Sequence, residues 1–131
     1  MEPMSAEAAL TGPELRTVQR MEFSTGGDVT LPCHLTSAAN AVAMEIRWFR
    51  NTDCIYLFKN GQVTVREGYE DRVSVSRDKL TRGDVSLRLR GSTDADTGRY
   101  CCQVISGEHI TETRIFLRYD GERGVILPGK Y

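Results

Sequence analysis

The chain has 131 residues, of which 17 are Lys or Arg and 18 are Asp or Glu, so its net charge at pH 7 is −1. This length accommodates one domain with a substantial core and leaves no room for a second. The two signs of charge are mixed along the sequence, so no basic block would follow a phosphate backbone and no nucleic acid partner is expected.

The first predicted strands, A and B, are separated by the turn residues Gly26-Gly27-Asp28. Strand A is predicted over 15–23. In strand B, apolar residues alternate with polar ones, which is the pattern of a strand with one buried face. The apolar positions are Val29, Leu31, Cys33 and Leu35. Pro32 has no backbone N–H, so a strand tolerates it only at a position that donates no hydrogen bond to a neighbouring strand.

Strands C, C′ and C″ come next. Strand C points Met44, Ile46 and Trp48 inward, so Arg47 and Phe49 face outward. Strand C′ is predicted over 55–59, with Ile55 and Leu57 inward and Tyr56 and Phe58 outward. Asn60-Gly61 is a type I′ hairpin signal that leads into a short strand C″ over 62–65.

The last predicted strands are D over 72–75, E over 85–89, F over 98–105 and G over 111–119. The stretch 96–102 carries the spacing D-x-G-x-Y-x-C, in which Gly98 allows a tight turn. Tyr100 then supplies the hydroxyl of a tyrosine corner, and Cys102 reaches across the core to Cys33. Trp48 follows Cys33 by fifteen residues, where strand C places an indole against that disulfide.

These spacings predict an all-β fold, an immunoglobulin-like variable-type (V-set) antiparallel sandwich. The domain is predicted over 13–119, after a flexible N-terminal extension at 1–12 and before a stalk or tail at 120–131. A salt bridge between Arg72 and Asp96 is expected to close the lower end of the sandwich, because variable-type domains commonly pair a basic residue before strand D with this aspartate.

The other two cysteines, Cys54 and Cys101, form a second candidate pair. Cys101 is adjacent to Cys102, so strand alternation turns it outward onto the G-F-C-C′ sheet. An intrachain bridge to Cys54 requires Cα atoms within roughly 7 Å and therefore predicts a C–C′ loop folded back over the sheet. The alternatives are that one or both thiols stay reduced or pair between chains.

From Gly27 to Leu117 the chain resembles the variable-type domains of the butyrophilin, myelin oligodendrocyte glycoprotein and costimulatory-ligand group. The stretches that carry the resemblance are 27–35, 44–50, 57–61 and 85–89. Tyr100-Cys101-Cys102 is similar to the T-cell immunoglobulin and mucin receptors, in which a second cysteine on strand F ties down the C–C′ loop.

The departures from these families limit what the resemblance implies. The mucin-type receptors carry six cysteines and this chain has four, and their lipid and calcium element Trp-Phe-Asn-Asp is replaced here by residues 106–111. Strand G also lacks the glycine bulge of antigen-receptor segments, so a rearranged receptor chain is not expected. No metal or cofactor is predicted.

The outward positions on strands G, F, C and C′ form the predicted partner-binding face. They combine four aromatic residues with two arginines, the side chains that most often anchor protein interfaces. The predicted face consists of Arg47, Phe49, Tyr56, Phe58, Gln103, Ile105, Arg114 and Phe116. The alternative is that the folded C–C′ loop or another domain covers some of the rings.

Other motifs predict no additional function. Arg82-Gly83-Asp84 matches a tripeptide that some integrins bind, but Gly and Asp are also the residues that a tight D–E turn requires. His34 and His109 have no second ligand at metal spacing. No serine lies in a nucleophile elbow and the cysteines are assigned to disulfides, so the chain is not expected to be an enzyme.

The leading hypothesis is an extracellular immune recognition domain, at the cell surface or secreted, that binds a receptor or ligand through this face. The alternatives are homophilic adhesion through a homodimer and a mucin-type receptor for a small ligand or lipid. Four cysteines favour an oxidising compartment. Residues 1–12 lack a signal-peptide pattern and no segment is apolar enough to span a membrane, so any anchor is expected beyond Tyr131.

Overall fold

The computed structural model describes residues 14–23 and 27–120. The predicted extension at 1–12 and all of the predicted tail except Asp120 therefore lie outside the described residues. The strands are β1 Leu15–Arg16, β2 Arg20–Phe23, β3 Val29–Leu31, β4 His34–Leu35, β5 Glu45–Arg50, β6 Asp53–Lys59, β7 Gln62–Val65, β8 Val73–Ser74, β9 Leu87–Leu89, β10 Gly98–Ser106 and β11 His109–Tyr119. One short α-helix, α1, covers Arg77–Leu80 between β8 and β9, and two single-turn 3-10 helices cover Thr36–Ala38 and Asp94–Asp96 within the described residues.

The strands of the described residues form two main sheets and one short pair. The larger sheet has the order β2-β11-β10-β5-β6-β7, the second has the order β3-β9-β8, and β1 pairs with β4. Strands β5, β6, β7, β10 and β11 correspond to the predicted C, C′, C″, F and G, and β3, β8 and β9 to B, D and E. The predicted variable-type sandwich is confirmed.

The core lies between the two main sheets, where alternate residues of every long strand meet. Trp48, Cys33 and Cys102 are all fully buried, and Trp48 lies directly opposite Cys102 in the register of β5 and β10. The indole N–H of Trp48 donates to the carbonyl of Val85 at 2.9 Å, which satisfies its buried donor. This register places Trp48 beside the core cysteine of β10, where the sequence predicted it.

The first predicted strand is divided between the two halves of the sandwich. Leu15 and Arg16 pair antiparallel with β4, whereas β2 runs parallel to β11 and places Arg20 beside Phe116. Pro32 likewise interrupts the predicted strand B between β3 and β4, and its carbonyl accepts a hydrogen bond from the Thr17 hydroxyl. The prediction of one continuous strand A was therefore wrong, because the chain crosses from one sheet to the other at 17–19.

The predicted tyrosine corner and salt bridge close the lower end of the domain. The Tyr100 hydroxyl donates to the carbonyl of Asp96 at 2.7 Å, and the Arg72 guanidinium donates to the Asp96 carboxylate at 2.8 Å. The same carboxylate accepts from the Thr93 backbone N–H at 2.9 Å, and Asp96 is only 2% exposed. Both predicted contacts are present, and Arg50 joins them with a nitrogen 4.0 Å from Asp96.

The predicted hairpin between C′ and C″ forms at Asn60 and Gly61, whose φ angles are +55° and +78°. Positive φ at both central residues is the requirement of a type I′ turn. Strand β7 pairs with β6 directly after it, with Lys59 opposite Gln62. The turn thus confirms the short additional strand of variable-type domains.

The inward and outward assignments in strand C′ were wrong for Tyr56 and Phe58. Tyr56 lies opposite Trp48 and Phe58 opposite Ile46, so both rings point into the core and are 3% and 1% exposed. The register shifts between Trp48 and Phe49, which leaves Ile55 as an additional buried residue on β6. This β-bulge reverses the phase of the strand after Ile55 and turns Leu57 outward.

Candidate protein-binding face

The outward side of β11, β10, β5 and β6, here called the GFCC′ face, is the candidate functional surface. Of the eight residues predicted for it, six lie there and are at least partly exposed. They are Arg47, Phe49, Gln103, Ile105, Arg114 and Phe116. Tyr56 and Phe58 are not part of it, because the bulge at Ile55 places their rings in the core.

Two aliphatic residues of the GFCC′ face were missed by the sequence prediction. Leu57 lies opposite Arg47 in the place expected for an aromatic ring, and Ile110 lies opposite Ile105 because β11 begins at His109. Ile110 is 57% exposed, the largest exposure among the apolar residues of this face. Ile110 precedes the predicted face residue Arg114 by four residues, so strand alternation would have placed it on the same side had the strand been predicted to begin earlier.

Phe49 occupies the centre of the face between two cysteines. It lies opposite Cys101 of β10 on one side and opposite Cys54 of β6 on the other. Neighbouring strands are about 4.8 Å apart, so the Cα atoms of Cys54 and Cys101 are separated by about 10 Å. A disulfide requires roughly 7 Å or less, so this arrangement does not allow the bridge.

The loop that was expected to bring these cysteines together has a different shape. Strands β5 and β6 are joined by the two residues Asn51 and Thr52, and the φ angle of Asn51 is +55°. A tight turn of this length continues the sheet and cannot fold back over it. The predicted Cys54–Cys101 bridge and bent C–C′ loop are therefore wrong for this structure, and the likeness to the mucin-type receptors is not shown beyond the Tyr100-Cys101-Cys102 sequence.

Cys54 and Cys101 are free thiols in the structure. Burial raises the pKa of the Cys54 thiol, and burial together with the negative charge of Glu112 raises the pKa of the Cys101 thiol. Few thiolates form at neutral pH when the pKa is raised, so these two side chains are weak nucleophiles that contribute a mainly apolar surface beside Phe49.

The separation of Cys54 and Cys101 leads to a stability prediction. Replacing both by serine should change the free energy of unfolding by less than about 1 kcal/mol, because each thiol is partly exposed and cross-links nothing. Loss of a bridge closing a loop of this length would cost about 4 kcal/mol. Urea denaturation of the double variant under oxidising conditions distinguishes the two cases, and a large loss of stability would contradict the observed register.

Cys33 and Cys102 are arranged differently. Both are fully buried, and their side chains share a hydrogen bond. Burial raises the pKa of the Cys102 thiol well above its ordinary value. Their contact at the centre of the sandwich supports the predicted inter-sheet disulfide, which remains a prediction for the oxidised protein.

The charged residues of the GFCC′ face are mostly paired along their own strands. The Arg47 guanidinium contacts the Glu45 carboxylate at 2.5 Å, and Arg114 contacts Glu112 at 3.1 Å. The Gln103 amide donates to Glu112 at 3.2 Å. These polar groups surround the apolar centre at Phe49 and Leu57, an arrangement of apolar core and polar rim that is typical of protein interfaces.

The Arg82-Gly83-Asp84 tripeptide has a structural role at the end of α1. Gly83 has a φ of +82°, and a Cβ there would lie 2.7 Å from the carbonyl oxygen of Ala39. The Asp84 carboxylate accepts from the Ser86 N–H at 3.0 Å and lies 3.5 Å from His34. The motif therefore forms a packed turn, and His34 pairs with a carboxylate.

Neither metal ligands nor a membrane span emerge from the described residues. Within 14–23 and 27–120, no group of three or more His, Cys, Asp or Glu side chains is placed to hold a metal ion. No helix in that part of the chain is long and apolar enough to cross a membrane.

The larger sheet with its C′ and C″ strands, the facing core cysteines, the buried tryptophan and the tyrosine corner together define a variable-type immunoglobulin domain. A family model for the immunoglobulin V-set domain matches residues 17–117. The chain belongs to the immunoglobulin V-set family, and it is butyrophilin-like within that family.

Individual relatives agree with this assignment. Selection and upkeep of intraepithelial T-cells protein 2 of Mus musculus is 38% identical over 99 residues, which cover 69% of this chain and 25% of that protein. Butyrophilin subfamily 1 member A1 of Bos taurus is 32% identical over 98 residues, which cover 71% of this chain and 19% of that protein. The chain thus spans a quarter or less of the length of these two relatives.

A solved structure shows the same likeness in three dimensions. The crystal structure of bovine butyrophilin superposes with a TM-score of 0.74 at 27% sequence identity, covering 82% of this chain and 54% of that one. The fold is therefore shared over nearly all of the described residues.

Proposed function

We propose that this domain is an extracellular immune recognition module of the butyrophilin-like co-signalling kind, which binds a protein partner through its GFCC′ face. The observation that carries the proposal is the set of apolar side chains that this face presents. Phe49 and Leu57 point outward from β5 and β6, and Ile105 and Ile110 form a second outward pair on β10 and β11, with Arg47 and Gln103 between the two groups.

The composition of this surface fits protein recognition better than the binding of a small ligand. Apolar and aromatic side chains lie at its centre, and ion-paired arginines lie around it. A mucin-type ligand pocket would lie between the C–C′ and F–G loops, but these connections are the two-residue segments 51–52 and 107–108. Recognition would therefore use a broad face and no enclosed cavity.

Replacing Phe49 by alanine should weaken partner binding by at least about 1 kcal/mol, which is about fivefold in Kd, because the ring lies at the centre of the face. Fluorescent tetramers of the domain, titrated on a panel of immune and epithelial cells, provide the measurement. Val18→Ala is the matched control, since Val18 is 44% exposed and lies outside the sheets. Equal staining by the Phe49 variant and wild type would remove the face from consideration.

Homophilic adhesion through the same face is the second candidate, favoured by the apolar character of its centre. Sedimentation of the domain over a wide concentration range tests it. Dimerisation that is abolished by Phe49→Ala would assign the face to a second copy of the chain, whereas a monomer at all concentrations would favour a different receptor.

A further inference from the structure

We infer that the part of the sheet around Phe116 recognises a carboxylate-bearing segment of the protein partner. This surface is here called the Phe116 patch and consists of Arg20, Arg99, Arg114 and Phe116. The inference rests on the proposed function, because Arg114 and Phe116 belong to the GFCC′ face. It specifies the chemistry of the partner at one end of that face.

The backbone register brings the residues of the Phe116 patch together. Phe116 lies opposite Arg20 of β2 on one side and opposite Arg99 of β10 on the other. The Arg20 Cζ is 5.9 Å from the centre of the Phe116 ring, within the range of a cation–π contact. Arg114 precedes Phe116 by two residues on the same side of β11, and an open groove of about 550 Å³ runs beside Arg99, Arg114 and Phe116, with Glu112 at its border.

Arg20 and Arg99 differ from the neighbouring arginines in whether a carboxylate pairs with them. Arg114 has Glu112 at 3.1 Å, and Arg118, two residues beyond Phe116, has Glu22 at 3.6 Å. Within 14–23 and 27–120, neither Arg20 nor Arg99 has a carboxylate within 4.0 Å, although both are exposed. The patch therefore presents two uncompensated guanidinium groups in a chain whose net charge is −1.

Guanidinium groups match carboxylates in geometry and charge, since each can donate two parallel hydrogen bonds. Arg20 and Arg99 lie on the two strands that flank β11, so their Cα atoms are about 10 Å apart. Acidic residues at positions i and i+2 of an extended segment lie on one side of it and about 7 Å apart. The arginine side chains are long enough to make up the difference between these two separations. Both can therefore reach the acidic residues of a segment that crosses Phe116.

The distribution of carboxylates favours such a segment over a sulfated glycan. A polyanion with closely spaced charges would have to pass Glu112 and Glu22, which flank the patch on β11 and β2. These carboxylates would repel a continuous run of negative charge. Two discrete acidic side chains can meet Arg20 and Arg99 and avoid both glutamates.

A capped pentapeptide with glutamate at its second and fourth positions, and the same peptide with glutamine there, provide the test. We expect the glutamate peptide to shift the backbone amide NMR signals of Arg20, Arg99 and Phe116 in the ¹⁵N-labelled domain. The glutamine peptide should leave them unchanged. The Arg20→Gln/Arg99→Gln variant should bind the glutamate peptide at least about tenfold more weakly, because both charge-assisted contacts are removed.

Arg82→Gln/Arg90→Gln is the matched control, since it removes two exposed arginines away from the patch and should leave binding unchanged. Equal shifts with both peptides would overturn the inference, and so would the absence of shifts at these residues with the glutamate peptide. Shifts produced only by a heparin hexasaccharide would overturn it in favour of a glycan.

The cell-binding experiment separates this inference from the proposed function. If Phe49→Ala reduces tetramer staining but Arg20→Gln/Arg99→Gln does not, the proposed function stands and the acidic partner is excluded. If Phe49→Ala leaves staining unchanged, the proposed function fails, whatever the peptides show. Loss of staining in both variants, together with glutamate-specific shifts, supports both.

Discussion

Replacing both Cys33 and Cys102 by alanine should lower the free energy of unfolding of the oxidised domain by about 4 kcal/mol. The two side chains are buried and in contact at the centre of the sandwich, where the predicted disulfide would close a loop of about 70 residues. Cross-linking a loop of this length restricts the unfolded chain, and the chain-entropy model assigns about 4 kcal/mol to that restriction. Urea denaturation of the variant and wild type measures the difference.

Reduction of the wild-type domain provides the same comparison without a substitution, in case the double alanine variant does not fold. The melting temperature should fall after reduction, and Cys54→Ser/Cys101→Ser should show the same fall, because its core cysteines are intact. Non-reducing peptide mapping should recover Cys33 linked to Cys102. An unchanged melting temperature after verified reduction would contradict the predicted core disulfide.

Replacing Asp96 by alanine should destabilise the domain by about 3 kcal/mol. The carboxylate is almost completely buried and accepts hydrogen bonds from Arg72 and from the Thr93 backbone N–H. Its removal leaves the partly buried guanidinium groups of Arg72 and Arg50 without their carboxylate, and breaking an ion pair at its buried partner costs about this much. Thermal and urea denaturation measure the loss.

Asp94→Ala is the control for this prediction, since Asp94 lies in the same turn but is exposed. It should change the stability by less than about 0.5 kcal/mol. If Asp96→Ala had an equally small effect, the Asp96 contacts would behave like a surface ion pair in spite of their burial.

The sequence correctly predicted those parts of the fold in which a local pattern shows which residues face the core or form a turn. Apolar and polar residues alternate in β3 and β5, so Leu31 and Trp48 could be assigned to the core. The spacing from Asp96 to Cys102 specifies a turn, a hydroxyl contact and a core position within seven residues, and the Tyr100 contact confirms it. Asn60-Gly61 predicted its turn type because both residues tolerate positive φ.

In strand C′ the local pattern does not show which residues face the core. Residues 55–58 are all apolar or aromatic, so alternation alone could not decide which two of them face the core. The bulge at Ile55 is determined by pairing with β5, a tertiary property with no local signal. Two of the eight predicted face residues were consequently wrong, and Leu57 was missed.

The Cys54–Cys101 pair was mispredicted for a related reason. Strand alternation correctly turned Cys101 outward, but the distance to Cys54 depends on how many strands lie between them. Phe49 lies between them because β5 separates β6 from β10 in the sheet. An even number of cysteines contains no information about this separation.

The parallel pairing of β2 with β11 determines how the domain resists mechanical force. The chain enters β2 at Arg20, beside Phe116, and leaves β11 at Tyr119, beside Phe23, which is the opposite end of the pair. Tension between these two points pulls the strands past each other along their length. Their hydrogen bonds would then share the load and not break one after another, so the pair would resist tension applied between Arg20 and Tyr119 by shear.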